Sequence, residues 1–147
     1  MKSNIINNKW FYEREVQYYE TDQMKIVHHS NYIRWFEEAR LSYMKDILIP
    51  YEELEEKGIF IPVLTAFAEY RKVFRYGDAF RIKLSIVKFN GLKMTIKYEV
   101  YDKITGDINT TGETSHCFLN RKWKPFNFKK EFPEVYDKFL KEINNNI

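Results

Sequence analysis

The stretch YETDQMKIVHHSNYIRWFEEARLSYMKDILIP, residues 19–50, decides how the rest of the chain is read. Tyr32, Trp35, Phe36, Ala39, Tyr43, Met44 and Ile47 recur in it at helical spacing, while Arg34, Glu38, Arg40 and Lys45 take the other positions. That pattern predicts a helix with one wide apolar face turned to a core. Ser30 or Asn31 is expected to cap it, because either side chain can accept from the free amides of the first turn. Pro50 closes it. Ahead of the helix lies an irregular stretch, residues 23–29. Before that, residues 10–20 are rich in aromatics with Val16 among them, which reads as a strand ending in the polar pair Thr21-Asp22.

Downstream, a short helix over 51–57 is expected to stop at Gly58, and a strand over 62–74 leads to a turn at Tyr76-Gly77-Asp78. The period then becomes two. Phe80, Ile82, Leu84 and Ile86 alternate with Arg81, Lys83, Ser85 and Val87, and Met94, Ile96, Tyr98 and Val100 alternate with Lys93, Thr95, Lys97 and Glu99. Half-buried antiparallel strands alternate in this way, and Asn90-Gly91 between them is a hairpin signal. Thr105-Gly106 marks another turn before a strand over 108–120. A helix follows Pro133, with Val135, Phe139, Leu140 and Ile143 on one side. Strand, long helix, four antiparallel strands and a terminal helix make an α+β chain: a five-stranded antiparallel sheet able to wrap round one long central helix.

The chain has 147 residues, of which 44% are hydrophobic and 18% aromatic, enough to fill one core but not two. A single domain over 1–147, with a short C-terminal helix at about 133–143, is therefore expected. Net charge is +3, from 24 basic and 21 acidic residues without long like-charged runs, which argues against a nucleic-acid partner. Cys117 is the only cysteine, so no intrachain disulfide forms. The polar start of the chain lacks the apolar core of a signal peptide, and no run approaches a membrane span of roughly 20 apolar residues. A cytoplasmic location is expected.

The run from Tyr19 through Thr21, Asp22, Val27, His28, His29, Ser30, Asn31 and Tyr32 to Phe36-Glu37-Glu38-Ala39-Arg40 resembles the 4-hydroxybenzoyl-CoA thioesterase family of hotdog-fold acyl-CoA thioesterases. Tyr70 with Tyr76-Gly77-Asp78, and Gly112 through Phe118, resemble that family's second strand and last strand. The resemblance spans roughly residues 16–118. It implies a hotdog fold, at least a homodimer and possible dimer of dimers with sites shared between protomers, and hydrolysis of acyl-CoA to a carboxylic acid and CoA. Asp22 is then the catalytic carboxylate, as nucleophile or as general base, and the backbone N–H of His29 polarises the thioester carbonyl. Lys25, Val27, His28, Asn31 and Tyr32 become substrate-binding candidates, and Lys88 and Lys93 candidate contacts for the CoA phosphates. Relatives usually carry glycine where this chain has Lys25.

Elementary chemistry agrees with that assignment. A thiolate leaves readily, since a thiol has a pKa of about 8.5, so hydrolysis needs little acid help. A carboxylate facing a helix N-terminus, whose free amides favour developing negative charge, can suffice. Other readings stand beside it. Asp22 can be a turn residue; the His29 side chain can orient substrate, or only its backbone can matter. Glu37 has the spacing to pair with Arg34 or Arg40, and Glu37 or Glu38 can be the catalytic carboxylate instead. His28 and His29 point in different directions and lack a third ligand, so no metal or cofactor is expected. His116 and Cys117 are adjacent on a strand and face opposite sides, which excludes a compact dyad. A non-catalytic acyl-CoA-binding module, an acyl-carrier-protein thioesterase and, less well matched, a dehydratase or isomerase are the alternative functions.

Overall fold

The computed structural model describes residues 3–6 and 9–145. Its elements are β1 (Ser3–Ile6), β2 (Lys9–Glu15), α1 (Ser30–Ile47), α2 (Tyr51–Glu56), β3 (Val63–Tyr70), β4 (Ala79–Phe89), β5 (Lys93–Asp102), β6 (Ile108–Cys117), α3 (Phe128–Glu131) and α4 (Pro133–Asn145). The strands form one sheet in the order β1-β2-β4-β5-β6-β3. Antiparallel strands with one long helix give the expected α+β hotdog architecture. β2 to β6 are the five expected strands. β1 adds a sixth by pairing antiparallel with β2, Ile5 opposite Trp10.

The described residues divide into two compact units. The first gathers those up to Tyr43 with residues 67–84 and 98–112; the second gathers residues 44–66, 85–97 and the described ones from 113 onward. In the first, Trp35 of α1 stacks on Phe80 with ring centroids 4.2 Å apart, and Phe36 stacks on Tyr98 at 4.4 Å. In the second, Phe89 stacks on Phe139 at 5.2 Å, and Phe118 meets Phe128 edge-on at 5.0 Å. Burying each such side chain contributes roughly 1.5–3 kcal/mol. The two period-two strands behave as their patterns predict: Phe80, Ile82, Leu84 and Ile86 are buried, as are Met94, Ile96, Tyr98 and Val100.

Element boundaries differ where side chains or distant strands take over the backbone bonds. The first strand ends at Glu15 rather than residue 20. Gln17 N–H donates to the Glu20 carboxylate at 2.8 Å and Glu20 N–H to Gln17 O at 3.0 Å, which winds Tyr18–Glu20 into a 3₁₀ turn. β3 stops at Tyr70, because the N–H groups of Arg71 and Lys72 both donate to Asn109 O, at 3.0 and 3.2 Å. The expected cap of α1 is also corrected. Ser30 already lies inside the helix, and Asn31 donates instead of accepting, from Nδ2 to Glu20 O at 2.9 Å and His28 O at 3.1 Å. The His28 ring takes the capping role, with Nδ1 accepting from Ser30 N–H at 3.2 Å. On α4, Val135 and Phe139 are buried while Leu140 is exposed, so the buried stripe is narrower than expected.

Candidate active site

Residues 20–28 form a small hairpin. Thr21 and Val27 make an antiparallel bridge, Asp22 N–H donates to Ile26 O at 3.0 Å, and His28 N–H donates to Glu20 O at 2.9 Å. Lys25 turns the tip, with φ +63 and its N–H donating to Asp22 O at 2.9 Å. That left-handed conformation suits glycine and strains a lysine. Lys25 nevertheless keeps the glycine-type bend, and its side chain is exposed. Val27 is buried and ties the hairpin down by donating to Phe74 O at 2.9 Å.

Asp22 stands half-buried on one arm, one carboxylate oxygen accepting from Met24 N–H at 2.8 Å. The other arm runs into α1. There His28, Asn31 and Tyr32 donate through their backbone N–H groups to Glu20, His28 and His29 carbonyls. The His29 N–H has no such acceptor among the described residues. It lies immediately before α1, where the helix dipole and free amides favour negative charge. Tyr70 fixes the same residue from the sheet side, its hydroxyl donating to His29 O at 3.3 Å. Thus a carboxylate on one arm of the hairpin and an open amide just beyond the other arm, at a helix start, are a pairing chemically suited to attack on a carbonyl.

The expected residues Asp22, Lys25, Val27, His28, His29, Asn31 and Tyr32 are brought together in the first unit, but not in like roles. Lys25, His28 and His29 are exposed, whereas Val27, Asn31 and Tyr32 are buried and hold the hairpin and helix start in place. His28 accepts the Ser30 N–H through Nδ1, so its neutral tautomer carries the proton on Nε2. Burial pushes the Tyr32 phenol from 10.0 up to about 12. Lys88 and Lys93 are exposed and line a groove beside the β4–β5 turn, with Ile143, in the second unit.

A partly buried charge network, centred on Glu20, underlies the hairpin. The Glu20 carboxylate accepts from the Arg14 guanidinium, from Gln17 N–H at 2.8 Å and from Trp35 Nε1 at 2.8 Å. Arg14 also donates to both oxygens of Glu38, at 2.7 and 3.0 Å, and Tyr12 donates to Glu38 at 2.7 Å. Burial opposes the Arg14 charge, yet Glu38 and Glu20 outweigh it and raise its pKa. Burial first, then Glu38, holds the Tyr12 proton well above its ordinary range. Glu38 is thereby engaged by a strand arginine, and Arg40 donates to the Tyr98 hydroxyl at 3.0 Å rather than to Glu37. Sequence reading overlooked Glu20 and Arg14. The signal was present: strand alternation from Trp10 and Tyr12 puts Arg14 on the inward face, where a charge demands a partner. His116 is buried, with Nε2 2.8 Å from Thr114 Oγ1, while Cys117 is half-exposed on the opposite face. No group of three metal-ligating side chains occurs among the described residues.

An α+β hotdog sheet with a carboxylate hairpin at the start of its long helix defines a thioesterase-type scaffold. Residues 16–141 match the model of the Thioesterase-like superfamily, and the chain belongs to that family. The Bacillus subtilis (strain 168) protein named "Putative acyl-CoA thioesterase YneP" is 35% identical over 130 residues, spanning 88% of this chain and 94% of its own. A DHNA-CoA thioesterase structure from Staphylococcus aureus is 31% identical with a TM-score of 0.84, covering 92% of each chain. A hypothetical protein of Aquifex aeolicus is 35% identical with a TM-score of 0.78, covering 86% of this chain and 98% of that one.

Proposed function

We propose that this protein hydrolyses acyl-CoA thioesters to a free carboxylic acid and CoA, with Asp22 as nucleophile or general base and the His29 N–H polarising the carbonyl. The observation that carries this reading is the hairpin itself, which pairs an accessible carboxylate with an amide that has no acceptor among the described residues. Family membership supports the acyl-CoA thioesterase class. An oxyanion donor of this kind contributes about 2.7–4 kcal/mol of transition-state stabilisation. In the nucleophilic course, an Asp22 oxygen adds to the carbonyl carbon, CoA leaves as thiolate, and water cleaves the resulting anhydride. In the general-base course, Asp22 takes a proton from the water that adds, and the tetrahedral intermediate breaks its C–S bond to release CoA as thiolate.

Lys25 favours turnover over a binding-only role, since it preserves the left-handed bend that a glycine would supply. The lysines at 88 and 93 are available for CoA phosphates, both being exposed on one groove. The family match runs through both compact units, which supports one functional domain. A homodimer is also part of this reading. β3 is an end strand of the sheet, and its Val63, Leu64 and Phe67 are 48%, 49% and 58% exposed. An open edge lined by apolar side chains is an association surface.

Thiol release across aliphatic and aromatic acyl-CoAs, with Asp22→Asn as the comparison, tests the proposal. Turnover by the wild type and a loss of at least about a hundredfold in the variant are expected, consistent with removal of the reacting group. Near-normal hydrolysis by a folded Asp22→Asn would exclude Asp22. Tight binding of CoA esters without any thiol release would favour the non-catalytic acyl-CoA-binding module.

A further inference from the structure

On the reading of Asp22 and His29 given above, we infer that Glu20 is a positioning residue for the reaction: it sets where the catalytic carboxylate stands relative to the polarising amide. Glu20 is 3% exposed. Through its carbonyl it accepts His28 N–H at 2.9 Å and Asn31 Nδ2 at 2.9 Å, which ties the arm leading into His29. Through its carboxylate it accepts Trp35 Nε1 at 2.8 Å, Gln17 N–H at 2.8 Å and the Arg14 guanidinium, which ties it to α1 and β2. Asp22 leaves the same strand arm two residues later. One residue therefore ties both arms of the hairpin: its carboxylate anchors the Asp22 arm to β2 and to the helix whose start supplies the amide, and its carbonyl holds the other arm against it.

The bonds to the carboxylate are charge-assisted and converge on a buried side chain, so they hold geometry more firmly than neutral surface bonds. A displacement of about 1 Å between reacting groups lowers rate by about a hundredfold without weakening binding in proportion. Glutamine at 20 keeps the shape and one acceptor oxygen. It can satisfy Trp35, but its amide nitrogen cannot accept from Arg14 or Gln17. A residue that only stabilised the fold would lower the melting temperature and leave kcat intact in the folded enzyme.

The test is steady-state kinetics of Glu20→Gln on the acyl-CoA the wild type turns over fastest, at a temperature where the variant is folded. Val135→Ala, a core truncation on α4, serves as a stability control. The expected result is a kcat at least tenfold lower with KM within twofold, while Val135→Ala loses melting temperature and keeps kcat. A Glu20→Gln kcat within twofold of wild type overturns the assignment. Should Glu20→Gln fail to fold, Trp35→Phe removes the indole donor together with part of the stacking on Phe80, and its kcat is read beside that of Val135→Ala, which loses core packing alone. A threefold or greater fall in kcat is then expected, and an unchanged kcat overturns the inference. An inactive Asp22→Asn beside a fully active Glu20→Gln removes the positioning role only. A turnover-competent Asp22→Asn removes both, since no catalyst would remain to be positioned.

Discussion

At the scale of single residues, Lys25 and Tyr32 make the most direct predictions. Lys25 holds φ +63 at the hairpin tip. A left-handed lysine costs about 1–2 kcal/mol in the folded state, and glycine there gives part of that back through a freer unfolded chain. Lys25→Gly should therefore hold or raise stability by up to about 1 kcal/mol. Lys25→Val, β-branched and intolerant of that conformation, should lose about 1–3 kcal/mol. Urea unfolding of the two variants checks the order. Tyr32 carries the pH prediction. Burial raises its phenol from 10.0 to about 12, so the folded state keeps a proton that the unfolded chain releases near 10. The stability is complete below pH 10 and falls as pH rises from 10 through 12. A shift of this size corresponds to about 2–3 kcal/mol. Denaturant midpoints at pH 9 and 11.5 should show that fall, and Tyr32→Phe should show less of it. The motif residues Asp22, Val27, His28 and His29 were legible in sequence because their spacing is local. Glu20 was not, since its partners Arg14 and Trp35 meet it only after β2 and α1 have packed.

Among the elements, the approach of α1 to the sheet depends on Gly112 of β6. A Cβ at that position would lie 2.3 Å from the Phe36 ring, which stacks on Tyr98 at 4.4 Å. Space, not backbone freedom, requires the glycine. Gly112→Ala should cost about 1–3 kcal/mol through overpacking, and Phe36→Leu in the same chain should recover part of it. Thermal melts of the single and double variants decide this. Sequence reading recognised Gly112 as part of a last strand without its reason, which is a helix residue far away in the chain. Element identity was legible from period. β4 and β5 alternate as written and α1 covers its expected span, because burial on one face imposes the repeat directly. Boundaries moved where distant or side-chain bonds intervened: β3 ends when Asn109 O takes the next two amides, and the first strand gives way to the turn that the Glu20 carboxylate closes.

For the whole molecule, the open β3 edge predicts association. Sedimentation velocity should give a dimer for the unaltered chain and a monomer for Phe67→Glu together with Leu64→Lys, since charge on an edge opposes pairing. A dimer that survives both changes would place the interface elsewhere. At this scale the sequence by itself determined the α+β class, the order of β2 to β6 with α1, α2 and α4, and the Asp22 loop before the long helix. Those follow from periodicity and turn chemistry, which are local and are written residue by residue. Only the tertiary structure decided that β1 joins the sheet, that Gly112 makes room for Phe36, and that Arg14, Glu20 and Glu38 form one charge network centred on the buried Glu20. Each of these depends on which distant groups meet once the sheet has formed. A buried charge shows in sequence that it needs a partner, but not which one it finds.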